Sequence, residues 1–235
     1  GGAKLTEGQY SGGKKTGTWT SYNEEGKITG TSVYRNNLLN GSQIYYNDDG
    51  SRDFEIQYKD DERNGLAVKN DPGGSIAYGT RYEDGDIVSY TYPDANGKFV
   101  PEISIPLGSG ELKAYFANGK PSRICIFSDG KINGTDTIYY ANGRIRSTDN
   151  SVYGYYEGPR KEYHPNGALK YDYHYLTDNL NGVCRQYNEN GILIKEMNFI
   201  NGVLHGPVSI FNAGGRPKET RFYYYGRLLS VKNEK

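Results

Sequence analysis

The sequence predicts an all-β protein, an elongated single-sheet antiparallel meander of tandem β-hairpin repeats, each about 24 residues long. Three observations carry this. Glycines recur in two locked series, aromatic residues recur at fixed offsets from those glycines, and ordinary core formers are scarce. With 32 glycines, 24 tyrosines and only 35% apolar residues in a chain of 235, tyrosine must supply much of the half-buried surface, which suits a thin sheet.

The first series, Gly26, Gly50 and Gly74, then Gly119, Gly143, Gly167, Gly191 and Gly215, sets the repeat. We take each of these as position zero. The second series, Gly17, Gly41, Gly65, Gly110, Gly134, Gly158, Gly182 and Gly206, precedes it by a constant interval. Four residues before zero stands an aromatic in Tyr22, Tyr46, Tyr115, Tyr139, Tyr163, Tyr187 and Phe211, with Asn70 and Pro93 as exceptions. Eight residues after zero stands another, in Tyr34, Tyr58, Tyr82, Phe127, Tyr175, Phe199 and Tyr223.

The segments leading into zero, such as Asp71-Pro72-Gly73-Gly74 and His164-Pro165-Asn166-Gly167, read as type I turns closed by a left-handed glycine. Such an odd loop pairs the aromatic four before zero with the residue two after it, Ile28, Ile76, Ile145, Leu169 or Leu193. Eleven after zero the chain carries only Gly, Asn or Asp, for example Asn37, Asp61, Gly154 and Asp178, which tolerate a left-handed backbone and mark a second turn. Each unit is therefore two strands and two turns. In the strand after the turn, Leu169, Tyr171, Tyr173 and Tyr175 alternate with Lys170, Asp172 and His174, giving an aromatic face and a polar face.

The register weakens in the middle, so we divide the chain into repeats over 1–87, an irregular Pro-containing repeat with Pro93, Pro101 and Pro106 over 88–110, and further repeats over 111–235. A kink between two half-arrays and simple decay of the repeat both explain the middle segment. Gly2 falls in phase with Gly26, and Tyr10 matches the aromatic eight after zero, so the chain opens inside a repeat. About twenty strands at roughly 4.8 Å give an expected axis on the order of 90 Å.

The pattern Tyr-x-x-Asn-Gly-x-Leu followed by Tyr-x-x-Gly, best seen in Tyr163 to Leu169 and Tyr187 to Leu193, resembles the MORN repeat family. It is most similar to the bacterial variant of the YwqK-type proteins labelled antitoxins. The resemblance implies a β-hairpin array with protein or lipid contacts, offers no catalytic residues to carry over, and names a toxin protein as one partner. It also implies a bacterial chain, either cytoplasmic or exported with its leader removed; the opening on Gly1 without methionine reads as a mature or engineered fragment.

Lys plus Arg equals Asp plus Glu at 28 each, without a basic face, so electrostatics gives no argument for a nucleic-acid partner. No apolar run reaches the roughly 18 residues of a membrane span. His164, His174 and His205 occupy three different repeat positions and form no compact ligand set, so we expect no metal and no cofactor. No nucleophile elbow, phosphate loop or dinucleotide fingerprint appears, and Asp48-Asp49 and Asp60-Asp61 fall at turns. Asn40-Gly41-Ser42 and Asn133-Gly134-Thr135 match a glycosylation tripeptide but are repeat turns. Cys125 and Cys184 lie about five strands apart, more than about 20 Å, and should remain free thiols.

The expected function is a non-catalytic scaffold for protein-protein interaction. A carbohydrate or cell-wall glycan binder is the second class, because Trp19 and the tyrosines offer rings to sugars. The candidate interaction surface is Tyr171, Tyr173 and Tyr175 with Tyr163 and Tyr187 beside them. Those rings either bind a partner or simply pack on one another.

Overall fold

The computed structural model describes residues 5–234. Gly2, expected to open the first repeat, lies outside them. Antiparallel hairpins follow one another in sequence order, as the repeat pattern predicts. They form two sheets, however, and not the expected single one. The first runs from Thr6–Ser11 through Asp86–Thr91 to Ile103–Ser104, the second from Gly110–Tyr115 to Arg227–Asn233. Between them the ladder stops at a single 3-10 turn, Pro106–Gly108. Proline supplies no N–H, so a segment carrying Pro101 and Pro106 is poorly able to continue a ladder.

The hairpin loops follow the expected chemistry. The N–H of the zero glycine donates to the carbonyl three residues earlier, as in Gly26 to Asn23 at 3.0 Å, Gly167 to His164 at 2.7 Å and Gly191 to Asn188 at 2.9 Å. Tyr163 pairs with Leu169, Tyr187 with Leu193 and Tyr22 with Ile28, the register the odd loop demands. In the irregular unit Pro93 still bridges Phe99 in the same relation.

The second turn is tighter than the sequence suggested. Both central residues have positive φ, for example Asp60 at 50° with Asp61 at 72° and Thr177 at 46° with Asp178 at 62°. These are two-residue type I′ hairpins, whose twist matches that of the flanking strands. The second glycine series has its own role. Gly41, at φ 125°, sits in a bulge across which Tyr34 pairs with Leu39 and Ser32 with Gln43, inserting two extra residues into one strand. Where Ser89 or Ser230 replaces that glycine, only one extra residue enters: Tyr82 and Arg81 pair with Ile87 and Ser89, and Tyr223 and Phe222 pair with Leu228 and Ser230.

By contact density the chain forms two compact units, residues 1–123 with 129–131, and residues 124–128 with 132–235. In the first, a column of residues six after or seven before a turn glycine is sealed from water: Ile56 is 1% exposed, Ala67 0% and Thr80 1%. Part of this unit also has a second layer. Ser122 donates to the carbonyl of Ala77 at 2.7 Å, and the Arg123 guanidinium lies 4.9 Å from the Tyr78 ring centre, over the strand Ile76–Glu83.

Glu102 ties the Pro-containing segment to this layer. Its carboxylate accepts Arg81 Nε at 2.7 Å and 2.9 Å and Ser89 Oγ at 2.6 Å, and Arg81 Nη2 also donates to it. These hydrogen bonds, Arg81 first, hold the Glu102 carboxyl down to about 2 from the ordinary 4.5. A depressed carboxylate stabilises the fold fully above its unfolded value and loses that contribution as pH falls. The pair is partly solvated, so we expect about 1–2 kcal/mol, present at neutral pH and lost between about pH 5 and 2. Urea unfolding across that window measures it; Glu102→Gln should flatten the acid slope, and an unchanged slope would count against the assignment.

Candidate interaction surface

The tyrosine run belongs to the second unit and rests on three neighbouring strands, Gly158–Tyr163, Leu169–Leu176 and Gly182–Tyr187. Alternation along Leu169–Leu176 places Tyr171, Tyr173 and Tyr175 on one face. The ladder sets Tyr171 opposite Glu162, Tyr173 opposite Arg160 and Tyr175 opposite Gly158. On the other side Tyr171 pairs with Gln186, and continuing that register brings Tyr173 beside Cys184.

The rings contact one another. Tyr171 and Tyr173 stack with centroids 5.1 Å apart, and Tyr175 meets Tyr156 at 5.5 Å. The Lys170 ammonium lies 5.2 Å from the Tyr171 ring centre, and the Arg160 guanidinium 5.1 Å from that of Tyr156. All three tyrosines of the run are half-buried. Burial pushes their phenols above the ordinary value, most strongly at Tyr173, so they remain hydrogen-bond donors at neutral pH.

Tyr163 and Tyr187 sit at the turn ends of their strands. The Tyr163 carbonyl accepts the Tyr140 hydroxyl at 2.6 Å, and the Tyr187 carbonyl lies 3.0 Å from His164 Nε2. The candidate set therefore separates into a stacked run of three and two turn-end residues that stitch successive repeats. His164 thereby has a structural role.

A charged group beside the run, in the same cross-strand row as Tyr173, escaped sequence reasoning. Asp136 and Asp149 are 6% and 5% exposed and directly paired across strands. Arg160 Nε lies 2.9 Å from Asp149 Oδ1, and Arg160 Nη2 donates to Glu162 at 3.1 Å. Burial works against the guanidinium charge, but Asp149, Tyr156 and Glu162 outweigh it and hold Arg160 firmly protonated. The signal was present: these residues occupy the positions seven before and six after a turn glycine, where the other unit carries Ile56, Ala67 and Thr80.

Cys125 and Cys184 are both buried and neither forms a disulfide, as the register predicts. Burial pushes the Cys184 thiol upward, away from thiolate reactivity. Ellman titration should find both thiols after denaturation without reductant and only slow reaction in the native chain; fast native reaction would contradict their burial. Among the described residues, no group of three or more His, Cys, Asp and Glu is placed to hold a metal ion, and no helix is long and apolar enough to cross a membrane. Trp19, the candidate sugar platform, is half-buried, with the Lys15 ammonium 4.4 Å from its ring centre and Tyr10 and Tyr34 edge-on at 5.1 and 6.3 Å.

No curated protein matches the chain. The family described as the MORN repeat variant matches residues 15–36, 156–176 and 180–201. The last two matches span Tyr163, Tyr171, Tyr173, Tyr175 and Tyr187. Three stretches of this hairpin array are thus similar in sequence to the MORN repeat variant, which supports the MORN resemblance read from its turns and tyrosines.

Proposed function

We propose that the chain is a non-catalytic repeat scaffold that binds a protein partner through the Tyr171, Tyr173 and Tyr175 face of its second unit. The observation that carries this reading is the half-buried tyrosine stack within the segments similar to MORN repeats, which are generally interaction modules. A rigid ring with an exposed edge and a protonated hydroxyl contributes contact area at low entropic cost, and tolerates water until a partner arrives. Arg160 and Glu162, opposite Tyr173 and Tyr171, add polar groups of both signs beside the rings. A YwqK-type antitoxin, whose partner is a toxin protein, is the narrower form of this proposal.

The test uses the 235-residue chain as bait, then compares Tyr171→Ser/Tyr173→Ser with Tyr171→Phe/Tyr173→Phe. The Ser pair should abolish capture of the identified partner by protein that is still folded, whereas the Phe pair should retain the fold and part of the affinity. If melting drops in the Ser pair while its folded fraction captures normally, the rings are packing residues and the proposal fails.

A further inference from the structure

Two strands depart from the repeat in the same way. Asp86–Thr91 and Arg227–Asn233 each follow a type I′ turn, at Asp84-Gly85 and Tyr225-Gly226. Each carries a serine, Ser89 or Ser230, where other repeats have the bulge glycine, and each takes one extra residue at the bulge and not two. By position, Val88 and Tyr90 of the first strand correspond to Leu229 and Val231 of the second.

In the first unit the far edge of such a strand is occupied. Ile103–Ser104 is added to it antiparallel, with Ile103 opposite Tyr90 and Ser104 opposite Ser89. The Ile105 N–H donates to the Val88 carbonyl at 2.8 Å, and the Ile105 side chain is 5% exposed. Alternate aliphatic side chains thus lie along the edge while backbone hydrogen bonds hold them there.

In the second unit Arg227–Asn233 has a neighbour on one side only among the described residues. The Glu234 N–H donates to the Lys218 carbonyl at 3.0 Å, so alternation along the antiparallel ladder turns the N–H and C=O of Leu229, Val231 and Asn233 outward. Leu229 is 61% and Val231 49% exposed, whereas Tyr90, beside its added strand, is 7% exposed. Charge along the strand is confined to Arg227 and Lys232, which leaves Leu228 to Val231 unguarded. An exposed edge without charge, proline or a covering loop is a template for strand pairing.

We infer that Arg227–Asn233 takes up an extended peptide segment of a partner as an added antiparallel strand, with aliphatic side chains opposite Val231 and Leu229. Main-chain hydrogen bonds supply the attachment and the alternate side chains the selectivity. Ile103 and Ile105 against Tyr90 and Val88 are the pattern for it. The edge uses none of the tyrosines of the proposed binding face.

A fluorescein-labelled peptide copying residues 99–106 is the probe, because Pro101 and Pro106 flank Glu102 to Ile105 and keep the free peptide from pairing with itself. On titration with the whole chain its anisotropy should rise to saturation with a Kd on the order of 100 µM. Val231→Pro deletes a backbone N–H that faces the open edge, and edge strands tolerate proline; it should abolish binding with melting unchanged. Val231→Lys keeps every backbone group and places a charge on the edge, so it should weaken binding about tenfold. No binding at about 1 mM chain, or equal binding by the wild type and both variants, overturns the inference. A wild type that sediments as a dimer and that Val231→Pro renders monomeric assigns the edge to a second copy and overturns it as well.

Discussion

Arg160→Ala is expected to destabilise the second unit by about 2–3 kcal/mol, because it removes the half-buried cation that pairs with the buried Asp149 carboxylate. Asp149 and Asp136 are 5% and 6% exposed and lie opposite each other on adjacent strands. With the guanidinium gone, carboxylates so close repel more strongly in their low-dielectric setting. Arg160→Met separates charge from bulk, since it keeps most of the apolar stem; it should lose nearly as much as alanine. Arg221 occupies the corresponding column position six after Gly215, but is 43% exposed and pairs with Glu219 at the surface. Arg221→Ala should therefore change stability little. Urea unfolding of the three variants decides the matter. If Arg160→Met folds as well as the wild type, or if the two alanine variants lose equally, charge neutralisation is not what Arg160 contributes.

The turns were legible because their chemistry is local. A glycine at a left-handed position and a type I sequence before it specify the loop within a few residues, and the pairing of Tyr163 with Leu169 follows. The positive φ of Tyr153 and Tyr225 was not legible, because neither residue type signals it. There the turn geometry comes from the ladder on either side and overrides the residue's own preference. The sealed column was hidden for a related reason. Its members include Thr80, Asp136 and Cys184 as well as Ile56, so no apolar period marks it. Only the register, with its two-residue bulge at Gly41 and its equivalents, aligns those positions across strands. Division into two sheets depended on how far the Pro101 to Pro106 segment could continue a ladder, which sequence left open. Of the candidate tyrosines, the alternation correctly grouped Tyr171, Tyr173 and Tyr175, while the turn-end placement of Tyr163 and Tyr187 came from contacts between repeats.

The column should also dominate the stability of the first unit. Ile56→Ala is expected to cost about 2–4 kcal/mol, the range for deleting a fully buried aliphatic side chain that leaves a cavity. Ile56 is 1% exposed and pairs with Gln43 on one side; continuing the ladder on the other side places it beside Ala67, which has no exposed surface. Phe54 and Tyr58 stand two residues away along the same strand and share its face. A thin sheet can seal such a residue only by folding the flanking side chains over it, so the aromatics beside the column act as its cover. Ile28→Ala provides the comparison, since Ile28 is 46% exposed beside a turn and should lose well under about 1 kcal/mol. Thermal melting and urea midpoints of both variants test the difference. Similar losses at Ile56 and Ile28 would mean that the repeats are held by their turns and ladders alone. The flanking tyrosines would then be free of any packing duty, and their half-buried rings would have to be explained by binding.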